Sequence, residues 1–147
     1  MNLTLNMRYA WVTVKCKDGL PYEFPKPRSS LPTSDLMTAG LYRWVGLKRG
    51  RQVSLYIGEA GNLYRRLYGY LYRSSSQATS YRVGREMKRL ARNGVQIRWQ
   101  VLRIRRSKMA LKRIQQSALH SVHFRRGLEE LLVHLESEKG GCLLNRD

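Results

Sequence analysis

Residues 41–62 constrain the fold of this chain more than any other stretch. LYRWVGL at 41–47 and VSLYIG at 53–58 are β-branched and aromatic runs. The basic, glycine-containing turn KRGRQ joins them, and the whole reads as a β-hairpin. Asn62 then stands where a helix cap belongs. Leu63, Leu67, Tyr70 and Leu71 follow at i, i+4, i+7 and i+8, one face of a helix that needs an apolar surface to cover it.

The flanking segments extend the pattern. RYAWVTVKC at 8–16, the turn KDG at 17–19 and LPYEF at 20–24 predict a second, N-terminal hairpin. PKPRSSLPTS at 25–34 holds three of the four prolines and reads as a linker, so 1–38 is expected to be an extension and linker and 39–147 the main domain. After the first helix, RSSSQATS predicts a break, with the next helix starting near Tyr81. Val83, Met87, Leu90 and Ala91 form its stripe, and Asn93-Gly94 ends it.

Val95, Ile97, Trp99 and Val101 alternate with Gln96, Arg98 and Gln100, a half-buried strand reaching about Ile104. Helix is expected again from Ser107 to about Lys139, broken or bent near Gly127, with GCLLNRD as an extended tail. Hairpin, two helices, strand and helices make a small α+β domain. Its expected core is a three-stranded antiparallel sheet flanked by helices, with an N-terminal β-hairpin added.

Charge narrows the function. The 147 residues carry 28 Lys and Arg against 10 Asp and Glu, a formal +18, which calls for a polyanionic partner. Residues 61–126 hold seventeen basic residues and one acidic, Glu86, interleaved with apolar residues at helix and strand periods. The excess therefore belongs to a folded surface and not to a disordered tail. Arg65, Arg73, Arg82, Arg85, Lys88, Arg89 and Arg92, extended by Arg103, Arg105 and Arg106, are the candidate phosphate contacts. Residues 127–147 reverse the sign, gathering Glu129, Glu130, Glu136 and Glu138.

Other classes recede. No apolar run approaches a membrane span and no signal sequence opens the chain, so a cytoplasmic protein without membrane association is expected. Cys16 and Cys142 fit neither a zinc site nor a disulfide scaffold and read as reduced, structural thiols. His120, His123 and His134 match no ligand spacing.

Antiparallel pairing of the 41–58 hairpin can bring Tyr42 and Tyr56 to one end of the sheet, and Arg66 and Tyr70, four apart on the helix, share a face. The segment GLYRW, ten residues, then LYIGEAGNLYRRLYGYL resembles the signature of the GIY-YIG nuclease superfamily. That resemblance covers about residues 40–145. It implies a divalent-metal-dependent endonuclease acting on DNA, with Mg²⁺ or Mn²⁺ as cofactor. Duplex or branched DNA is the implied partner, RNA stays open, and the assembly is a monomer or a dimer.

Residue by residue, the resemblance implies that Arg66 holds the phosphate and that Tyr42 activates the water. Tyr56 and Tyr70 orient water and phosphate, and Glu129 binds the metal, with Glu130 as the other choice. Asn145, in CLLNRD, supports the site by hydrogen bonds. Glu59, directly after Gly58, sets a negative charge where a phosphate contact would not favour one. The alternative is a non-catalytic basic module that binds DNA or structured RNA on the same fold.

Overall fold

The structure, a computed structural model, describes residues 7–73, 75–104, 116–138, 144 and 145. Their elements run in the order β1 (Tyr9–Thr13), β2 (Gly40–Lys48), β3 (Arg51–Ala60), α1 (Leu63–Leu71), α2 (Ala78–Arg92), β4 (Gln96–Ile104) and α3 (Val122–Glu138). Arg105, Arg106 and Cys142, and the helix start expected at Ser107, lie outside the described residues.

The strands form one antiparallel sheet in the order β1-β4-β2-β3. It has four strands where three were expected, because β1 pairs with β4 from Tyr9↔Ile104 to Thr13↔Gln100. The edge of β4 offers unpaired N–H and C=O groups, and the N-terminal segment satisfies them. The predicted hairpin is short, held by Cys16 N–H to Leu20 O (2.7 Å) and Tyr22 N–H to Val14 O (2.8 Å). Both its arms continue along β4, through Val14 N–H to Trp99 O and Phe24 N–H to Ile97 O. Tyr22, Phe24, Leu31 and Leu36 are then buried in the main core.

Side chains alternate across the sheet. On one face Tyr42, Trp44, Ile97 and Trp99 pack under α1 and α2, with Trp44 and Trp99 stacked at 5.5 Å. On the other, Leu41, Ile57, Leu102 and Ile104 meet Leu128 and Leu132 of α3. Arg43 crosses this second face. It donates to Gln100 Oε1 (2.7 Å), approaches Glu136 at 3.5 Å and lies 4.8 Å over the Trp11 ring, tying three strands to α3.

Two helix expectations change. The Ser-rich break separates α1 from α2 but ends three residues earlier than Tyr81, since α2 starts at Ala78 after a 3-10 turn, Ser75–Gln77. Ser80 is buried there, and Gly84 has no side chain, which lets α2 sit against the Tyr70 carbonyl at the end of α1. Packing overrides the weak helix preference of serine. Likewise α3 runs unbroken through Gly127. Among the described residues, no helix is long and apolar enough to cross a membrane.

Candidate active site

The site lies at the outer strand β3, where α1 packs on one face of the sheet and α3 on the other. Asn62 fixes the start of α1, its side chain accepting from Arg65 N–H at 3.0 Å. Burial of Leu63, Leu67 and Tyr70 then sets the rotation of the helix, turning Arg66 toward the same edge as Tyr70. In the hairpin Tyr42 pairs with Gly58 and Trp44 with Tyr56, so the two tyrosines are diagonal neighbours on one face. A β-bulge places Leu55 as the extra residue beside Tyr56.

Three phenols meet there. The Tyr42 and Tyr70 hydroxyls share a hydrogen bond of 2.6 Å, and the Tyr56 ring stands 6.3 Å from that of Tyr70. Gly58 makes this possible, because a Cβ at that position would overlap the Tyr42 hydroxyl and the Tyr56 ring. Tyr42 is only 1% exposed, whereas Tyr56 is half-buried. Burial, with the Tyr70 and Tyr56 phenols adding to it, holds the Tyr42 pKa well above the ordinary value of 10. That disfavours the phenolate that water activation by Tyr42 calls for. Burial likewise raises Tyr56 and Tyr70.

Across the edge, Arg125, Leu128, Glu129 and Leu132 form the inward stripe of α3 at helical spacing. Glu129 is therefore half-buried and faces the cluster, while Glu130 is exposed. Burial pushes the Glu129 carboxyl up to about 7; the Glu59 carboxylate adds to the shift, and the Arg66 guanidinium opposes it. Arg66 acts in the same sense on Tyr42, Tyr56 and Tyr70. It is thus the shared cation of the cluster, and it enters no direct ion pair among the described residues.

Glu59 is neutralised by a residue that sequence reasoning missed. Arg125, 6% exposed, donates from Nε to Glu59 Oε2 at 2.9 Å and from Nη1 to the Leu119 and His120 carbonyls. Its position four residues before Glu129 was the available signal. Two further acids of the tail are engaged elsewhere, Glu136 with Arg43 and Glu138 with His134 at 3.3 Å. Asn145 does not reach the cluster by its own side chain. It accepts from Ile57 N–H and donates to Ile57 O, both at 2.8 Å, and so clamps the β3 edge behind the site.

Among the described residues no group of three or more His, Cys, Asp or Glu gathers. The donor set fits one hard cation all the same. Glu129 is a half-buried carboxylate in no direct ion pair among the described residues, with Glu59 beside it, so a bound positive charge would be favoured. Mg²⁺ commonly takes one or two carboxylates and fills its shell with water and phosphate.

The basic residues divide. Arg65, Arg73, Arg82, Arg85 and Arg92 are exposed, and Arg82 is near enough to Tyr56 to oppose its pKa shift. Lys88 donates to the Leu71 carbonyl at 3.0 Å and Arg89 pairs with Glu86 at 3.1 Å, which makes both less available. Compared with protein-family models, curated proteins and solved structures, the chain matches none.

Proposed function

We propose that this chain is a divalent-metal-dependent endonuclease that hydrolyses phosphodiester bonds of DNA, as its likeness to the GIY-YIG nucleases implies. One arrangement supports the reading: Arg66 of α1, in no direct ion pair among the described residues, lies within electrostatic reach of both Tyr56 of β3 and Glu129 of α3. A phosphate is the ligand that uses such a guanidinium, since the fork matches two of its oxygens.

Arg66 then holds the scissile phosphate and offsets the charge that grows on it. Glu129 holds Mg²⁺ or Mn²⁺, which when bound polarises the phosphoryl oxygen and lowers the pKa of a coordinated water. Tyr56, the accessible phenol, keeps its proton and donates to the phosphate or orients the water. Tyr42 and Tyr70 hold that ring in place from beneath, which gives Tyr42 a positioning role. Arg125 removes the objection that Glu59 would repel the substrate, and the exposed arginines of α1 and α2 guide DNA in. A cytoplasmic location belongs to the same reading.

The test incubates pure protein with supercoiled and branched DNA, and with RNA, in Mg²⁺, Mn²⁺ or EDTA. Arg66→Ala and Glu129→Gln are run beside it. Metal-dependent cleavage that falls about 10²-fold or more in both variants is expected, with melting curves showing that both stay folded. Tight binding without cleavage of any substrate overturns it and assigns the chain to the non-catalytic alternative.

A further inference from the structure

Helix α1 carries a second pattern that the β3-edge cluster does not use. Tyr64, Tyr68 and Tyr72 recur every four residues from α1 into its C-terminal cap, and so line one flank of the helix. At 3.6 residues per turn, that flank lies about 160–240° around the axis from Arg66. Tyr68 and Tyr72 remain 40% and 49% exposed, with ring centroids 4.9 Å apart. Single exposed aromatics are ordinary on a protein surface, but a continuous row marks a contact.

The N-terminal segment completes the row. Its 3-10 turn, Arg28–Ser30, packs against α1 and sets the Arg28 guanidinium 4.8 Å from the Tyr64 ring centre and 5.2 Å from that of Tyr68. Arg65 and Arg73, both exposed, are the chain neighbours of Tyr64 and Tyr72. No acidic residue occurs in α1, and Glu86, the one acid of residues 61–126, is paired with Arg89.

Rings and cations side by side fit one occupant by charge and by shape. An unpaired strand offers a flat π-face and a negative phosphate at every nucleotide, whereas duplex bases are already stacked on one another. Arginine lying on a ring adds cation–π attraction and extends the platform.

We infer that the Tyr64, Tyr68 and Tyr72 flank of α1, with Arg28, Arg65 and Arg73, binds an unpaired stretch of DNA by base stacking and phosphate contact. This surface is separate from the proposed nuclease cluster and does not depend on it. If both readings hold, the two flanks of one helix serve one substrate, a duplex that adjoins a single strand.

The experiment measures binding of the full chain to a labelled oligo-dT and to a mixed-sequence duplex of equal length, in EDTA so that no cleavage enters. Tyr68→Ala with Tyr72→Ala is expected to weaken oligo-dT binding roughly 10- to 100-fold while duplex binding changes little. Tyr68→Phe with Tyr72→Phe, which keeps the rings, should restore it, and circular dichroism checks that each variant is folded. A failed cleavage assay leaves this measurement intact. Unchanged oligo-dT binding in the folded alanine variant, or an equal loss on duplex, overturns the inference.

Discussion

The hydroxyls of Tyr42 and Tyr70 lie 2.6 Å apart in a buried hydrogen bond that joins β2 to α1. Each is within 1% of full burial, so neither has water to fall back on. Tyr42→Phe or Tyr70→Phe alone leaves the other hydroxyl buried without this partner, a cost of about 1–3 kcal/mol. Replacing both removes donor and acceptor together. The double variant should therefore be destabilised by clearly less than the sum of the singles, a coupling read from urea midpoints in a double-mutant cycle. Additive losses would show that the pair is not a unit.

Two glycines give opposite forecasts for the same substitution. Gly58 lies against the Tyr42 hydroxyl and the Tyr56 ring, whereas a Cβ at Gly127 meets nothing within 4 Å. Gly58→Ala forces one of the rings aside and should cost about 1–3 kcal/mol, the range for overpacking. Gly127→Ala, on an exposed turn of α3, should stabilise by about 0.5–1 kcal/mol through helix propensity. Thermal melts of the two variants against the parent check both signs.

The buried phenols make stability fall at alkaline pH. Burial raises the pKa of Tyr22, Tyr42 and Tyr70, with help from Cys16 at Tyr22 and from neighbouring phenols at all three. In the unfolded chain each ionises near the ordinary value of 10. The folded protein holds the extra protons above that pH, so stabilisation is whole below about pH 10 and is lost as pH climbs past it. Phenolate absorbance should stop short of its full nine-tyrosine amplitude. The remainder should appear with the loss of the circular dichroism signal. A complete rise in a still-folded protein would contradict the burial of these groups.

What could be read in advance was local. The 41–58 hairpin, the Asn62 cap, the 96–104 strand and the shared face of Arg66 and Tyr70 depend on residues a few positions apart, and the structure has each of them. The N-terminal hairpin is legible, but the pairing of Tyr9 with Ile104 leaves no local trace, so its place along the β4 edge is not. The break at RSSSQATS is present between Leu71 and Ala78, but packing of α2 on α1 extends the helix back through Thr79 and Ser80 against the weak helix preference of serine. Choosing between Glu129 and Glu130 needed the inward stripe of α3, and the state of Tyr42 needed the docking of α1 on the sheet.

Arg125 and Glu59 form the most enclosed ion pair described, and its two ends should respond unequally to mutation. Arg125 holds Glu59 with Nε and the Leu119 and His120 carbonyls with Nη1. Arg125→Gln strands the carboxylate beside Arg126, which stands 3.9 Å away and is largely exposed, and it also releases the two carbonyls. A loss of about 3–5 kcal/mol follows, as for other buried pairs broken from one side. Glu59→Gln keeps an amide oxygen to accept from Nε, and the carbonyls still hold the guanidinium, so about 1–2 kcal/mol is expected. Urea unfolding at unchanged m-value separates the two figures. Equal losses would mean that the charge pair, and not the carbonyl bonds, secures Arg125 beneath the site.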